Sequence, residues 1–532
     1  MQCQIILNSD TKEPTKNHTF TMSNNITKAF LIAFFSAISF ITSAATYYVS
    51  PTGTSSASGS ISDPINFATA IGKSLVAGDS LIFRGGTYSF SSSQSFSKSG
   101  VAGNLIHYVA YQSEVPIFDF RTQVYGSNSR GLNLSGNYMH VKGITVQGAG
   151  DNGFYVTGSN LFIEQCTARW NCDSGFQLKT GSNNYILNCD SYENFDYESS
   201  GSIGGNADGF ADKQYTNTGT NTYKGCRSWS NSDDGWDSYE KTGNTVYDSC
   251  WCYNMAPAQY DMTNHIRYAT DKAYVDGFTN HIIPNVGNGN GFKMGGNYYA
   301  NNATAHHCIS VGNKVKGFDQ NHNNGIMTVS NCTSYNNNPN YGYSDNSYGT
   351  LIVKNCVSLS SKGSNSFGCK SVTQAYNSWN TGFTCASTDF TSLDYTQMLN
   401  DRQSDGSLPE ITLLHLQSTS GMIDKGTNVG FSFSGLAPDL GAFEYNSLTT
   451  VTTPSSSTSD ISVYYTATNK EIAVRGFINA VEVYQLTGQK IYAQTYSSES
   501  LSIRAGNWTK GIYLVRVVSQ NGILTTKKIL VD

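Results

Sequence analysis

The feature that most constrains the fold of this chain is a repeat of 23 or 24 residues that is marked by cysteine. Four of the six intervals between successive cysteines of the repeat have this length, and the other two are longer. The cysteines of the repeat are Cys166, Cys189, Cys226, Cys250, Cys308, Cys332 and Cys356. A period in the low twenties, built from short β-branched and aromatic runs, indicates a solenoid in which each unit buries its apolar face against its neighbours.

Two further positions recur after the cysteines. An asparagine usually follows five residues later, and a glycine–aromatic pair follows the asparagine. The asparagines are Asn171, Asn194, Asn231, Asn313 and Asn337. The glycine–aromatic pairs are Gly175-Phe176, Gly209-Phe210, Gly235-Trp236, Gly291-Phe292, Gly317-Phe318 and Gly342-Tyr343.

These positions favour an all-β fold, a right-handed parallel β-helix, over other solenoids. Leucine-rich repeats need a Leu-x-x-Leu-x-Leu frame, which is absent, and helical repeats need apolar residues at a spacing of about 3.6. In a β-helix the Cys, aromatic and Asn side chains form internal ladders from coil to coil. We expect the cysteines of the repeat to be free thiols, whereas Cys369 and Cys385 beyond it are candidates for a disulfide.

The composition agrees with a secreted, β-rich protein. The chain of 532 residues contains 51 Gly but only 10 Pro, and charged residues make up 13% of it. This profile, together with 34 Tyr and 26 Phe, is typical of secreted β proteins. The net charge of −5 is weak, which argues against nucleic acid as a partner.

The N-terminal segment predicts export. Lys28 precedes an apolar run at residues 29–41, and small residues follow it up to Ala45. We therefore expect residues 1–45 to be a signal peptide, with an alternative start at Met22. The run is too short for a membrane span. Since no other long apolar stretch follows, we expect a soluble, exported and monomeric mature protein.

The character of the sequence changes near residue 445. Residues 446–460 are rich in Ser and Thr, which is typical of a linker. Residues 461–532 contain several short alternating runs, which predict a small C-terminal β-sandwich. The expected β-helix domain therefore covers residues 46–445.

Four carboxylates and one lysine fall at related positions of the repeat. Asp208 and Asp234 each precede the glycine of a glycine–aromatic pair, and Asp233 lies beside the second of them. Lys293 follows the aromatic residue of its pair as Asp237 follows its own. Residues at one position of a solenoid repeat stack on one another, so we expect these side chains to lie together.

This stacking requires that the long interval between Cys250 and Cys308 is one coil with an excursion, at about residues 253–285. Carboxylates this close cannot all stay ionised without a cation between them. Oxygen ligands without His or Cys favour Ca²⁺ over zinc. Taken singly, each Asp-Gly pair is an ordinary turn and the lysine an ordinary surface residue. Together they predict a calcium site with a candidate base beside it.

Residues 206–239 and 288–296 resemble the motifs of polysaccharide lyase family 9, the pectate-lyase-like parallel β-helix enzymes. Residues 47–53 and 438–444 resemble the opening and closing segments of such helices. The resemblance therefore spans about residues 46–445, and the Asp and Lys motifs are its specific part.

The resemblance implies that Lys293 is the catalytic base and that four aspartates bind Ca²⁺. These aspartates are Asp208, Asp233, Asp234 and Asp237. The implied reaction is β-elimination from a uronate, in which the base removes the C5 proton and the O4 glycosidic bond breaks. The implied substrate is polygalacturonate, an acidic plant cell-wall polysaccharide, with rhamnogalacturonan as the main rival.

The C-terminal segment resembles a second family. Residues 486–490, 510–515 and 527–531 are similar to the C-terminal sorting domain of type IX secretion substrates. This resemblance implies a secreted or cell-surface protein of a Gram-negative bacterium, with the type IX secretion machinery as a partner.

Weaker candidates and alternatives remain open. Four further cations are candidate substrate contacts: Lys213, Arg267, Lys272 and Lys316. His306, His307 and His322 lack a ligand frame and are interpreted as ordinary surface or ladder residues. Composition does not exclude a hydrolase, which needs paired carboxylates. A noncatalytic β-helix adhesin with structural Ca²⁺ is the other alternative, but an adhesin has no need of Lys293.

Overall fold

The computed structural model describes residues 44–199, 201–216, 218–380, 382, 385–445, 462–466, 470–485, 490–519 and 524–531. The expected signal segment up to residue 43 and the expected linker at 446–460 lie outside these residues. The chain divides into two compact units after Asn446. Within the described ranges, no helix is long and apolar enough to cross a membrane.

The first unit is a parallel β-helix in which the coils contribute short strands to three sheets. Sheet 1 consists of Thr46–Thr54, Ser80–Phe83, Ile106–Ala110, Met139–Lys142, Phe162–Glu164, Tyr185–Leu187, Thr220–Lys224, Gly243–Asp248, Asn301–His306, Ile326–Ser330, Thr350–Lys354 and Ser371–Ala375. Sheet 2 consists of Gly86–Ser89, Pro116–Asp119, Thr145–Gln147, Thr167–Arg169, Asp190–Tyr192, Arg227–Trp229, Trp251–Tyr253, Ile309–Val311, Thr333–Tyr335 and Val357–Leu359. Sheet 3 consists of Gln94–Phe96, Leu132–Leu134, Phe154–Val156, Phe176–Leu178, Phe210–Asp212, Trp236–Asp237, Phe292–Lys293, Phe318–Asp319, Tyr341–Tyr343 and Ser366–Phe367.

Single residues in the left-handed conformation form the tight turns of the coil. Gln165 (φ 53°) lies between strands of sheets 1 and 2, and Trp170 (φ 57°) follows the strand of sheet 2. The next coil repeats both turns at Asn188 (φ 53°) and Glu193 (φ 52°). Because these turns recur at the same places, successive coils keep one register.

Aromatic side chains stack inside sheet 3. Phe176 stacks on Phe210, Phe210 on Trp236, and Trp236 on Phe292, with ring centroids 5.0, 5.0 and 4.7 Å apart. Trp236 and Phe292 are register partners on adjacent strands. The prediction that the long cysteine interval is one coil with an excursion is therefore confirmed.

One aromatic position differs from the prediction. Phe318 pairs with Tyr341, and the expected Tyr343 lies two residues further along the strand. The turn from Asn337 to Tyr341 is one residue shorter than the turn from Asn313 to Phe318, so the register shifts. The Tyr341 ring takes the ladder position and stacks on Phe318 with centroids 5.4 Å apart.

The cysteines of the repeat are buried beside the turns between sheets 1 and 2. The Cys226 thiol, for example, donates to the carbonyl of Ile186 in the preceding coil at 3.4 Å. Every cysteine that the structure describes is free, including Cys369 and Cys385. The prediction of free ladder thiols is confirmed, whereas the candidate disulfide is not formed.

Asparagine side chains join the coils after sheet 2. The Asn171 amide donates to Asn194 Oδ1 at 2.9 Å, and the Asn194 amide donates to Asn231 Oδ1 at 2.7 Å. Met255 takes the next position, and its backbone N–H donates to Asn313 Oδ1 at 3.0 Å. Each buried amide thus satisfies backbone or side-chain groups of a neighbouring coil, as the repeat predicts.

Two insertions lie between sheets 2 and 3. The first follows Asn194, and the second covers residues 254–290. The second contains the antiparallel strands Gln259–Asp261 and Ile282–Pro284, the α-helix Lys272–Val275 and the 3₁₀ helix Thr279–His281. The insertions share an apolar cluster that includes Cys172, Phe195, Tyr197, Met262, Val275 and Ile283.

The other helical segments cover the end and one side of the β-helix. The α-helix Phe67–Ile71 begins after Asn66, whose side chain caps its first turn. The 3₁₀ helices Ser387–Asp389 and Tyr395–Leu399 belong to a C-terminal strap at residues 385–445. Apolar residues of this strap pack on the outer face of sheet 2.

The second unit contains five antiparallel strands. They are Ser462–Thr466, Glu471–Gln485, Lys490–Arg504, Gly511–Ser519 and Leu524–Val531. The second strand pairs with the third along its length, and also with the first and the fourth. The first and last strands are in contact. The sheet therefore folds over its own apolar core, which is the small β-sandwich expected from the sequence.

The asparagine ladder makes a stability prediction. Asn337 accepts the backbone N–H of Asn313 at 2.9 Å and donates to Ser310 O at 2.9 Å. We expect Asn337→Ala to leave these buried groups unpaired and to lower the free energy of unfolding by about 1–3 kcal/mol. Thermal and urea unfolding measure the loss. Asn324→Ala, at an exposed position, is the control; equal midpoints for the two variants would contradict the ladder's role.

Candidate active site

The predicted carboxylates and lysine meet beside the outer face of sheet 3. Asp237 and Lys293 are paired neighbours on adjacent strands, and each follows an aromatic residue of the core ladder. Because side chains alternate along a strand, both leave the outer face of the sheet. Asp208 and Asp234 lie in the turns that lead into the strands of two adjacent coils.

Two ammonium groups lie among three carboxylates. Asp208, Asp234 and Asp237, here called the acidic triad, offer oxygen atoms that all lie within 4.8 Å of one another. Lys213 Nζ lies 2.9 Å from Asp208 Oδ2 and 2.8 Å from Asp237 Oδ2. Lys293 Nζ lies 3.0 Å from Asp234 Oδ2 and 3.4 Å from Asp237 Oδ1.

Amide groups orient the triad oxygens. The Asp234 N–H donates to Asp208 Oδ1 at 3.1 Å. Asn290 donates its backbone N–H and its side-chain amide to Asp234 Oδ1, at 2.7 and 2.8 Å. The Tyr239 N–H donates to Asp237 Oδ1 at 2.8 Å. The sequence interpretation missed Asn290, although it precedes the glycine of its pair as Asp208 and Asp234 precede theirs.

Asp233 is buried next to the triad but lies outside it. Its Oδ1 accepts the backbone N–H of Asn288 at 2.6 Å, which ties it to the segment leading to Lys293. Burial raises the pKa of Asp233, and the charges of Asp234 and Asp208 raise it further. Of the four predicted ligands, the structure groups three and gives the fourth a contact to the backbone.

Burial and mutual repulsion shape the protonation of the triad. Burial raises the pKa of Asp208 to about 8, with a further rise from Asp237 and Asp234 and an opposing effect of Lys213. Burial also raises the pKa of Asp234. At Asp237 burial acts the same way, but the ammonium groups of Lys213 and Lys293 outweigh it and lower the pKa.

Both lysines are held in the ammonium form by the triad. Burial favours a neutral Lys293 amine, but the charges of Asp234 and Asp237 outweigh burial and raise its pKa well above the ordinary value. The pKa of Lys213 is likewise raised, because Asp208 and Asp237 outweigh its burial. In this charge state neither lysine can act as a base.

The triad fits a hard divalent cation. Its donor atoms are carboxylate oxygens alone, which Ca²⁺ prefers. Asp234 Oδ2 is buried and, apart from its ion pair with Lys293, accepts no hydrogen bond from the described residues. A buried charged oxygen in this state is costly unless a cation is close to it. Asp208, Asp234 and Asp237 are therefore the residues that could hold calcium.

The sequence predicts Arg267 as a substrate contact, but its side chain does not reach the outer face of sheet 3. Its side chain is fully buried, and its guanidinium donates to Asp271, to Gly148 O at 2.7 Å and to Gln123 O at 2.9 Å. The expectation of a substrate contact is corrected, since these partners use the donors that a substrate would need. Arg267 instead ties the second insertion to the early coils.

The other three candidate cations have different surroundings. Lys213 lies at the triad. Lys272 is exposed on its short helix and pairs with Asp276. Lys316 lies one coil beyond Lys293 and pairs with Asp319 at 2.8 Å.

The sequence interpretation missed a second acidic pair in the coils before the triad. Asp151 and Asp173 occupy the repeat position of Asp233, two residues before the glycine of each pair, and this spacing was the available signal. Burial raises the pKa of Asp173 to about 7, and the charge of Asp151 adds to the rise. Arg130 Nε lies 3.5 Å from Asp151 Oδ2. The guanidinium carbon of Arg130 stacks on the Tyr155 ring, 3.6 Å from its centroid.

The stacked carboxylates and the lysine on one outer face of the parallel β-helix agree with the resemblance to polysaccharide lyases drawn from the sequence. Comparison with known proteins defines the class. Residues 47–365 match the family described as "Pel9A-like, right handed beta helix region". The chain belongs to this family and is a polysaccharide lyase. Its β-helix is accordingly right-handed.

Individual relatives support the assignment to the polysaccharide lyases. The chain is 37% identical over 414 residues to pectate lyase L of Dickeya chrysanthemi, which covers 75% of this chain and 90% of the relative. The crystal structure of pectate lyase Pel9A superposes with a TM-score of 0.66 at 34% identity, covering 76% of this chain and 98% of that one. A rhamnogalacturonan lyase superposes with a TM-score of 0.60 at 26% identity, covering 70% and 97%. Residues 449–531 match a domain of unknown function.

The raised pKa of Asp208 predicts a pH effect on the metal-free protein. Its folded pKa is about 8, against about 3.9 in an unfolded chain. The stability that this carboxyl contributes is present below about pH 4 and is lost as the pH rises toward 8. With excess chelator, we expect the thermal midpoint to fall between about pH 5 and pH 8.

The Asp208→Asn variant should show a smaller fall, because its side chain does not ionise. Asp405→Asn, at an exposed position, should behave as the wild type. Differential scanning calorimetry at fixed ionic strength measures the midpoints. Equal slopes in the wild type and in Asp208→Asn would contradict the assignment.

Proposed function

We propose that this chain is a secreted, calcium-dependent pectate lyase that cleaves polygalacturonate by β-elimination with Lys293 as the base. The observation that carries the proposal is the Lys293 ammonium on the outer face of sheet 3, 3.0 Å from a carboxylate of the acidic triad. The 37% identity to pectate lyase L supports the substrate class.

The acidic triad would hold the calcium ion, with Asp233 close by. Asn290 and Tyr239 keep the triad oxygens in place through the hydrogen bonds that they donate. When bound, calcium would neutralise the uronate carboxylate and make the proton on the adjacent C5 carbon more acidic. The remaining chemistry belongs to side chains of this protein.

Lys293 would accept the C5 proton at Nζ. The carboxylates around it raise its pKa in the metal-free chain, and their charge is offset when a divalent cation is bound. The neutral amine therefore becomes available in the calcium-bound state, where a base is needed. The electron pair of the C5–H bond forms a C4–C5 double bond, and the bond from C4 to the glycosidic oxygen breaks. The oxygen leaves with that bond's electron pair and takes a proton from water, which gives the hydroxyl of the second product. One product carries a 4,5-unsaturated uronate.

Lys213 and Lys316 would contact substrate carboxylates. The Lys213 side chain is 25% exposed against 11% for Lys293, so it can meet a carboxylate from outside the triad. Lys316 lies in the next coil and is partly exposed. Arg130, stacked on Tyr155 on the other side of the triad, offers a further cation to an anionic chain.

Rhamnogalacturonan is the second candidate substrate, because a rhamnogalacturonan lyase has the same fold at 26% identity. Both substrates would use the same elimination. The noncatalytic adhesin is the less favoured alternative, since it gives no role to Lys293.

For location, we propose export through a signal peptide at 1–45 and type IX sorting by residues 461–532, followed by secretion or retention at the surface of a Gram-negative cell.

Replacing the base tests the mechanism. Lys293→Arg keeps the positive charge but cannot lose its proton near neutral pH. We expect turnover to fall by about 10²–10⁴-fold while Ca²⁺ binding persists. Ultraviolet absorbance of the unsaturated product measures turnover on polygalacturonate and on rhamnogalacturonan. Lys354→Arg, on sheet 1, is the matched control.

Two outcomes would refute this assignment. One is a near wild-type rate for Lys293→Arg. The other is cleavage of the chain without any ultraviolet-absorbing product, which would mean hydrolysis. A wild-type rate that is higher on rhamnogalacturonan than on polygalacturonate would change the substrate and leave the mechanism intact.

Removing a triad carboxylate tests the metal. Asp234→Ala deletes the triad carboxylate that lies 3.0 Å from Lys293 Nζ, so we expect Ca²⁺ binding and activity to be lost together. Calorimetric titration with Ca²⁺ measures binding, and circular dichroism checks that the coils persist. Asp276→Ala, in the second insertion, is the control. Full activity of Asp234→Ala in excess chelator would exclude calcium dependence.

A further inference from the structure

A second cluster of metal-ligating side chains lies on sheet 1, which is a different sheet from the one that carries the acidic triad. It consists of Asp248, His306 and His307, whose ligand atoms all lie within 4.8 Å of one another. His306 Nδ1 lies 3.3 Å from His307 Nδ1 and 3.5 Å from Asp248 Oδ1. The proposed lyase activity does not use any of these residues.

We propose that Asp248, His306 and His307 form a zinc-class metal site with two imidazole nitrogens and one carboxylate oxygen as ligands. Two ligands at about 2.0–2.1 Å from a tetrahedral Zn²⁺ lie about 3.3–3.4 Å apart. The two distances from His306 Nδ1, 3.3 Å to His307 Nδ1 and 3.5 Å to Asp248 Oδ1, are close to this spacing. Imidazole ligands favour zinc, copper or nickel over calcium. Three protein ligands leave the fourth position for water or a small ligand.

The backbone sets this geometry. Asp248 and His306 are register partners at the ends of adjacent strands of sheet 1. His307 occupies the left-handed turn position (φ 53°) that neighbouring coils give to Ser249 (φ 53°) and Asn331 (φ 49°). This turn brings two consecutive histidines to the same point, with the carboxylate of the preceding coil beside them.

The surroundings hold the three ligands in place. The Phe431 ring packs against both imidazoles and covers one side of the cluster. Its centroid lies 4.5 Å from that of the His306 ring and 4.9 Å from that of the His307 ring. Lys224 pairs with Asp248 Oδ2 at 2.6 Å, and Ser249 donates to Oδ1 at 2.8 Å. Oδ1 is therefore held in place and retains a lone pair for a metal.

The site lies where a bound metal can join two coils. Asp248 lies before the second insertion, at 254–290, and His306 and His307 lie after it. A metal held by all three would fasten together the two coils that the insertion separates in sequence. Because a metal that binds only the folded chain adds its binding free energy to folding, we expect this site to stabilise the β-helix.

Zinc titration of the full mature protein tests the proposal. The protein is freed of metal with chelator, saturated with Ca²⁺ to occupy the acidic triad, and titrated with ZnCl₂ by calorimetry. We expect one Zn²⁺ per chain and a rise of several degrees in the thermal midpoint. The double variant His306→Ala/His307→Ala should lose both effects, and Asp248→Asn should weaken zinc binding at least tenfold.

A second histidine pair provides the matched control. His107 Nδ1 and His140 Nδ1 lie 3.2 Å apart, but Glu164 binds the opposite nitrogen of His140, so the described residues give this pair no third ligand. His107→Gln should bind zinc as the wild type does, and all variants should keep their lyase activity. Zinc binding that survives in the double variant, or that is lost in His107→Gln, would overturn the proposal, as would a wild type that binds no zinc. Circular dichroism verifies that each variant is folded.

Discussion

Stacking of equivalent residues from coil to coil is the interaction on which the rest of this structure depends. Parallel pairing places equivalent residues about 4.8 Å apart, and the rings from Phe176 to Phe292 repeat at 4.7–5.0 Å. The inward ring decides which residue faces outward, so Trp236 places Asp237 and Phe292 places Lys293 on the outer face. A slip of one residue in either strand would turn the charged side chain into the core.

The same rigidity allows like charges to be concentrated. The acidic triad holds three carboxylates within 4.8 Å of one another, and burial raises the pKa of Asp208 to about 8. On a flexible loop such side chains would move apart. Asp237 lies on a strand that is paired on both sides, and the turns of Asp208 and Asp234 are joined by the Gly209 N–H, which donates to the Asp234 carbonyl at 2.9 Å. Lys213 and Lys293 supply positive charge to the triad in the metal-free chain. A site built in this way is pre-organised for a cation, because the stacked coils hold its carboxylates together before the cation binds.

The sequence predicts the place of a residue correctly where that residue has a position in the repeat. Lys293 could be placed beside Asp237 across a long insertion because both follow a ladder aromatic, and such positions must stack. The prediction failed at Tyr343, because the preceding turn is one residue shorter and the cysteine spacing does not reveal turn lengths. It also failed at Arg267, because a residue in an insertion has no repeat position and its contacts to the carbonyls of Gly148 and Gln123 are fixed only by tertiary packing. The cluster around His306 was missed, although Asp248 and His306 each lie two residues before a cysteine of the repeat and so occupy equivalent positions of adjacent coils.

The second insertion links these observations. It leaves the β-helix between the coil that carries Asp237 and the coil that carries Lys293, and the same boundary separates Asp248 from His306. Both clusters therefore form only if the insertion folds away from the stack and lets the next coil dock in register. The buried guanidinium of Arg267 fastens the insertion to backbone carbonyls of the early coils. Arg267 thus holds the insertion against the early coils, while the strands on either side of the insertion pair in register and place Asp237 beside Lys293.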